Sequence, residues 1–363
     1  MDPYLYKPIF LHFIVLISIL STTISTPDII QDSDRKTEGF FIMLLSMLLI
    51  LFVGYRPIDA VFADMVGYAE FYESIPYLDA NDDKGFFYIA QFCNNLGFSA
   101  RSWFCFLDLL YMGGAAFAVY KIFEHNCIIA FAVVFASFSF FSYGVNGVRN
   151  GIACSTFLLA LAALKYRKFV LVGFLCFLAF HFHKSLLLTI VCLALVYFYN
   201  NTLSYFKIWI LCIILSLVAG SYFESYFVAQ DIIDTGKSSA DYFSNSTADM
   251  SGFSVQGFRY DFLLYSSVPI FIGCYFVIKQ KYEDSFYKIL LNLYIICNSV
   301  WVLINANWLS NRIAYLSWFM YGFVMMYPVL ESPVVHNRAR WVGYIVLGNA
   351  GFSYLMWIIG KYM

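Results

Sequence analysis

Long apolar stretches, separated by short polar connections, recur along this chain and restrict its fold more than any other feature. The stretch from Phe40 to Tyr55, for example, contains no charged residue. A helix needs about 20 mostly apolar residues to cross a bilayer. Only 12% of the 363 residues are charged, which is about half of the fraction found in soluble domains. The sequence therefore predicts an all-α polytopic membrane protein.

Twelve transmembrane helices are predicted from these stretches, and we expect the whole chain, residues 1–363, to form a single transmembrane domain. The two short stretches at 169–182 and 185–199 leave an alternative open. If they form one tilted span, the orientation of every later helix is reversed. The twelve predicted spans are 5–25, 40–55, 102–121, 127–143, 148–164, 169–182, 185–199, 206–225, 262–278, 286–305, 313–330 and 341–359.

Basic residues in the short connections predict the orientation of these spans. The tight loop KYRK at 165–168 should be cytoplasmic, because Lys and Arg concentrate in short cytoplasmic loops. Alternation of twelve spans then places nearly every other short basic connection on the same side, with both termini outside. The two long connections, 56–101 and 226–260, fall on the outer face.

The first outer connection also contains a pattern that is typical of a helix. Apolar residues near helical spacing predict a helix that lies along the membrane surface or packs on the helix bundle. These residues are Phe86, Ile89, Ala90, Cys93 and Leu96.

Charge and cysteine usage argue against several classes of function. The formal net charge of −1 gives no reason to expect nucleic-acid binding. The nine cysteines are scattered through apolar stretches, with no CxxC pair and no His/Cys cluster. This pattern indicates neither a metal site nor a disulfide framework. We therefore expect no metal and no cofactor.

The segment GVNGVRNGIACS at 144–155 places Asn146, Arg149 and Asn150 between two apolar stretches. An arginine at the centre of a membrane helix costs about 2.5–3.5 kcal/mol on insertion scales, so Arg149 is expected at a water interface, in a cavity or opposite an anion. The start of a glycine-rich helix offers backbone N–H groups that would bind the same anion. The alternative is a plain outer turn with a snorkelling arginine.

Two further arginines, Arg56 and Arg312, mark the outer ends of other predicted spans. With Arg149 they place three guanidinium groups on one face of the membrane. Three such groups can neutralise a dianion, and the planar guanidinium suits bidentate contact with phosphate. For Arg56 the alternative is a snorkelling anchor at the end of a span.

Titratable groups on the same face are candidate acids and bases. Asp64 either caps a helix, pairs with Arg56 or exchanges a proton with the substrate. In FHFHKSLLL, His183 and Lys184 either form an interfacial turn or face the cavity that the arginines surround. His181 and His183 lie two residues apart and face different sides of a helix, so we do not expect them to bind a metal together.

Five motifs in order resemble the EpsG-type branch of the bacterial Wzy-like polysaccharide polymerases. The resemblance extends from about Arg56 to Tyr327, which is most of the chain. It implies a membrane core similar to that of the GT-C glycosyltransferases. It also implies that lipid-linked oligosaccharide repeats are joined outside the bacterial cytoplasmic membrane, in the synthesis of O-antigen, capsule or exopolysaccharide. The motifs are Arg56…Asp64-x-x-x-Tyr68, GFFYIAQF, NGVRNGIA, FHKSLLL and NRIAY.

Several residues match the family's motifs, and a few positions depart from them. Asp64 matches an aspartate four residues before a tyrosine, His183 begins the H-x-S motif, and Arg312 begins the late R-I motif. Arg149 matches an arginine that is often followed by glutamine, whereas this chain has asparagine. The first outer connection departs further, because it reads Phe-Ala-Asp in place of G-x-D and Asp-Lys before GFF.

The implied reaction needs groups that hold a diphosphate and take a proton. The donor would be a glycan on a polyprenyl diphosphate, and the acceptor would be a sugar hydroxyl of another lipid-linked repeat. We expect Arg149 to cradle the diphosphate, and Asp64 or His183 to take the acceptor proton. Partners would be the lipid bilayer, a chain-length regulator and a flippase. Residues expected to bind the diphosphate or the glycan are Arg56, Tyr68, Asn146, Asn150, Lys184 and Arg312.

Other functions stay open from the sequence. An O-antigen ligase-like enzyme would transfer the glycan to a different acceptor, which the motifs do not distinguish. A transporter or lipid flippase should have internal repeats and charges along a central cavity. No repeat is evident in this chain, and its charges gather on the predicted outer face. A membrane scaffold would have no use for arginines on one face.

Overall fold

The computed structural model describes residues 1–24, 34–79, 83–229, 258–305, 310–333 and 335–362, and in these residues the chain is helical without a strand. The expectation of an all-α protein is confirmed. Most of the predicted second outer connection, 226–260, lies outside the described residues. The α-helices are α1 (Tyr6–Ile24), α2 (Arg35–Gly54), α3 (Met65–Ser74), α4 (Lys84–Asn95), α5 (Ala100–Asp108), α6 (Gly114–Ile122), α7 (Cys127–Phe135), α8 (Phe140–Val145), α9 (Val148–Lys165), α10 (Phe169–Phe182), α11 (Leu186–Phe198), α12 (Thr202–Ala229), α13 (Tyr260–Cys274), α14 (Ser285–Leu303), α15 (Ser310–Trp318), α16 (Tyr321–Glu331) and α17 (Arg338–Tyr362).

Nine helical segments in the described part of the chain are long and apolar enough to cross a membrane, and each coincides with a predicted span. Helices α10 and α11 coincide with the predicted short pair, but they have only 14 and 13 residues. The count of twelve spans therefore stays a prediction. The nine segments are Pro3–Leu20, Arg35–Gly54, Ala100–Ile122, Val148–Lys165, Thr202–Gly220, Tyr260–Lys279, Ser285–Leu303, Ile313–Glu331 and Arg338–Ile359.

The fourth predicted span, at 127–143, is not one continuous helix. Helix α7 ends at Phe135, and α8 begins only at Phe140. Between them, Ser137 Oγ donates a hydrogen bond to Val133 O over 3.1 Å. Nearly all of α7 is buried, as expected for a helix that is apolar on every side.

The chain divides into two compact units. One comprises Met1–Leu186 and Met325–Met363, and the other comprises Leu187–Val324. The second unit contains a chain of buried hydrogen bonds, in which Trp209 Nε1 donates to Asn298 Oδ1 and Asn298 Nδ2 donates to Ser317 Oγ. These bonds link α12, α14 and α15. All the site residues expected from the sequence, except Arg312, belong to the first unit.

Several charged side chains of the first unit make contacts near helix ends. At one end, Arg35 Nη2 donates to Tyr120 O over 2.9 Å, and Lys165 Nζ donates to Ile122 O over 2.6 Å. Helix α9 begins at Val148, about 25 Å from Lys165 along the helix axis. This separation approaches the thickness of the hydrocarbon core, about 30 Å, and fits the predicted orientation, which stays a prediction.

The helix expected in the first outer connection is present as α4. Of the five apolar positions that predicted it, Phe86, Ala90 and Cys93 are buried. Leu96 lies just beyond the end of the helix and is 57% exposed. Because α4 packs against α10, its buried side is covered by the helix bundle.

Candidate functional site

Arg149 and Asp83 form an ion pair at the start of α9. Arg149 is the second residue of this helix, and its Nη1 donates to Asp83 Oδ2 over 2.7 Å. The side chain of Asp83 is 6% exposed, whereas that of Arg149 is 34% exposed. The guanidinium therefore has a buried anionic partner and remains accessible to a ligand.

Asp83 lies where the start of α4 meets the end of α10. Its Oδ1 accepts a hydrogen bond from the Lys184 N–H over 3.3 Å, and His183 Nδ1 lies 3.4 Å from its Oδ2. The two helices approach so closely that a Cβ on Gly85 would lie 2.8 Å from His181 O. This close approach brings residues from three distant segments of the sequence to one carboxylate. Within the described residues, no group of three His, Cys, Asp or Glu side chains could hold a metal ion.

The charges around Asp83 decide its protonation. Burial by itself would raise the pKa of this carboxyl, because a charged group is less stable away from water. His183 and Arg149, together with the N–H of Lys184, outweigh burial and hold the pKa of Asp83 below its ordinary value. Asp83 is therefore an anion throughout the neutral range.

Replacement of Asp83 by asparagine should lower stability by about 1 kcal/mol at neutral pH, because Arg149 loses its anionic partner while water partly screens the exposed guanidinium. A carboxyl with a depressed pKa stabilises the fold above its unfolded pKa, and this contribution is lost as the pH falls through the folded value. We expect the difference in melting temperature between wild type and Asp83→Asn to stay constant from about pH 8 to pH 5 and to shrink below about pH 4. If the difference in melting temperature measured in detergent disappeared near pH 6, Asp83 would not be an anion throughout the neutral range.

The first outer connection contributes a second layer of contacts. Arg149 Nε donates to the hydroxyl of Tyr68 over 3.3 Å, and the guanidinium carbon lies 5.7 Å from the centre of the Tyr68 ring. Asn146 Oδ1 accepts a hydrogen bond from the backbone N–H of Asp64 over 3.2 Å. Asp64 is exposed, and its carboxylate does not cap α3. These contacts bring Asp64 and Tyr68 to the same end of the first unit as Arg149.

Arg56 has a different environment from the one expected. Its side chain is fully buried, and its Nη1 donates to Asp108 Oδ2 over 2.8 Å. Nη1 also donates to Val53 O, and Nη2 donates to the carbonyl oxygens of Gly144 and Val145. The pairing of Arg56 with Asp64 is not formed. A buried guanidinium with these partners is not accessible to a phosphate in this conformation.

Asn150, another residue expected at the site, has a described side-chain contact within its own helix. Asn150 is buried, and its Oδ1 accepts a hydrogen bond from the thiol of Cys154 within α9. Arg312 lies in α15 of the second unit, and its side chain lies outside the described residues.

The match to a known protein family covers nearly the whole chain. A model of the EpsG family matches residues 39–362. The chain belongs to the EpsG family. Comparisons of this EpsG-family protein with curated proteins and with solved structures gave no significant match. Family membership and the apolar helices make it a polysaccharide polymerase of the glycosyltransferase type in a membrane.

Two acidic residues of this EpsG protein have roles in the structure that the sequence does not predict: Asp83 at the site and Asp108 in the core. Asp83 enters the sequence pattern only as a departure from the family's motif, two residues before the glycine of GFF. Asp108 is the only acidic residue in the span Ala100–Ile122. A charge within a predicted span is costly unless it is paired, and this rule could have indicated a basic partner for Asp108.

Proposed function

We propose that this EpsG protein transfers a glycan from a polyprenyl diphosphate to a sugar hydroxyl of a second lipid-linked repeat, at the outer face of the bacterial cytoplasmic membrane. The observation that supports this proposal is the accessible guanidinium of Arg149 at the start of a buried membrane helix, held by Asp83 and Tyr68. Such a guanidinium suits the diphosphate of the donor.

The diphosphate is the leaving group, and its negative charge grows as the bond between sugar and oxygen breaks. A fixed cation stabilises this charge most when it needs no reorientation during the reaction. The contacts of Arg149 with Asp83 and Tyr68 hold the guanidinium in one orientation before the substrate binds. The backbone N–H of Lys184 contacts the same Asp83, so Lys184 is a second cationic residue of the proposed site.

Two groups are candidates for the base that takes the proton of the acceptor hydroxyl. Asp64 has an exposed carboxylate on the loop that contacts Asn146. His183 is mostly buried, and its Nδ1 lies 3.4 Å from Asp83 Oδ2. A general base raises the reaction rate about 10²–10⁴-fold. We therefore expect the rate of polymerisation to fall by such a factor in one of the two variants Asp64→Asn and His183→Gln. The residue whose replacement has this effect is the base.

A reconstituted assay tests the proposal directly. The purified protein in liposomes should convert lipid-linked repeats into a ladder of longer products, and this activity should be retained in EDTA because the proposed charge stabilisation comes from side chains. Loss of activity in EDTA with recovery on addition of Mg²⁺ or Mn²⁺ would contradict metal independence. Transfer to a different acceptor would indicate a ligase, and movement of lipid without new bonds would indicate a flippase.

Cysteine labelling in intact cells tests the proposed outer position of the site. All nine native cysteines are buried or half-buried, so their background labelling should be low. We expect Glu73→Cys, in the first outer connection, to react with a membrane-impermeant thiol reagent. Lys168→Cys, which is also exposed and lies in the KYRK loop, should react only after the membrane is permeabilised. Labelling of Lys168→Cys in intact cells would place the site on the cytoplasmic face.

A further inference from the structure

A long groove runs along the outside of α2 in the first unit. Its other wall is the segment from Gly97 to Tyr120, and its volume is about 1210 Å³. Drug-sized pockets usually have about 300–1,000 Å³. Lining residues on α2 extend from Lys36 to Tyr55, a distance of about 28 Å along the helix. The groove is therefore nearly as long as the hydrocarbon core of a bilayer is thick.

The shape of the groove follows from how its two walls meet. Near one end, a Cβ on Gly54 would lie 2.6 Å from the Cα of Cys105, so the helices are in close contact there. Farther along, the second wall passes through a π-helical turn, Leu109–Gly113. Gly113 lines the groove and presents no side chain to it. Met47, on the rim, is 60% exposed, so the groove is open to the surrounding membrane.

One end of the groove connects with the Arg149 site through α3. Phe98 lines this end, and its carbonyl oxygen accepts a hydrogen bond from the hydroxyl of Tyr72 over 2.9 Å. Tyr68 lies one helical turn before Tyr72, and its hydroxyl accepts a hydrogen bond from Arg149 Nε. Residues four apart lie on the same face of a helix, about 6 Å apart. Contacts along one face of α3 therefore connect the Arg149 site with the mouth of the groove.

We infer that this groove binds the isoprenoid chain of the polyprenyl-diphosphate donor. The inference rests on the proposed function and extends it, because it states where the lipid part of the donor lies. The tails of ordinary lipids are as apolar as the groove, so burial alone gives the isoprenoid chain no preference. The preference comes from the attachment of the chain to a diphosphate held at Arg149, which raises its effective concentration at the groove.

A matched pair of substitutions tests the inference. Gly113→Phe fills the groove, and its Cβ has only side-chain neighbours at 3.4 Å or more. Gly173→Phe makes the same change on the exposed surface of α10, where a Cβ has no neighbour within 4 Å. Binding of radiolabelled undecaprenyl diphosphate and geranyl diphosphate is measured for each purified protein in phosphatidylcholine nanodiscs. Gly113 lies about 21 Å from Ser99 along the wall, beyond the reach of the two isoprene units of geranyl diphosphate.

We expect Gly113→Phe to weaken binding of undecaprenyl diphosphate about tenfold and to leave binding of geranyl diphosphate unchanged. Gly173→Phe should change neither. Equal binding of undecaprenyl diphosphate by both variants, or equal loss of both ligands in Gly113→Phe, would overturn the groove and leave the proposed function standing. If the wild-type protein binds neither diphosphate, the proposed function fails and the groove fails with it.

A second measurement covers the case in which Gly113→Phe does not fold. A photoreactive benzophenone residue at Met47, on the rim of the groove, should crosslink to undecaprenyl diphosphate. The same residue at Leu48, which is 50% exposed on α2 outside the groove, should not. Equal crosslinking at the two positions would mean that the lipid chain has no preferred place on α2, and the inference would be wrong.

Discussion

Replacement of Arg149 by lysine is expected to slow polymerisation by about 30- to 1000-fold while the protein reaches the membrane in normal amounts. Lysine keeps the positive charge but lacks the planar fork that contacts a phosphate through two nitrogens. It also cannot reproduce the two directed contacts of the guanidinium, from Nη1 to Asp83 and from Nε to Tyr68. The loss of one such contact costs about 2–4 kcal/mol in a transition state.

The measurement is the length distribution of polymer in cells and the rate of chain growth with purified substrate. Cells with Arg149→Lys should accumulate single repeats. Arg101→Lys provides a matched control, because Arg101 is exposed at the start of α5 in the same connection region. If both Arg149→Lys and Arg149→Ala gave long polymer at near the wild-type rate, Arg149 would be a membrane anchor and the proposed site would be wrong.

Replacement of Arg56 by methionine should destabilise the first unit by about 3–5 kcal/mol, because it leaves the charge of Asp108 buried without a partner. Both side chains of this pair are buried, with exposed fractions of 0% and 1%. The double variant Arg56→Met/Asp108→Leu removes both charges and should recover most of the lost stability. Part of the stability lost in Arg56→Met comes from the hydrogen bonds of Arg56 to Gly144 and Val145. The double variant does not restore these bonds.

Thermal unfolding in detergent checks this expectation, with Arg101→Met as an exposed control. The ion-pair interpretation requires that stability falls in either single variant and recovers in the double variant. A stable Arg56→Met protein that has lost only its activity would instead support the role expected from the sequence, in which Arg56 binds the diphosphate.

Much of the helical architecture of this EpsG protein could be predicted from the sequence, because the bilayer imposes a fixed length on apolar helices. The stretch 40–55 and the stretch 148–164 both coincide with observed helices. The stretch 127–143 was predicted as one span, and in the structure its helix breaks before Phe140 although the hydropathy is continuous. Mean hydropathy does not register this break, because it reports apolar content and not backbone conformation.

The candidate site was only partly predictable. The sequence by itself identified Arg149, because a charge between two apolar stretches is costly and requires a reason. Only the tertiary structure showed that its partner is Asp83, 66 residues away, and that Lys184 contacts Asp83 across 101 residues. The tertiary structure also showed that the two arginines have different environments, because Arg56 is buried against Asp108 whereas Arg149 is partly exposed. Local patterns determine which segments become helices, whereas the partner of a charged side chain depends on how distant helices pack, as α4 does against α10.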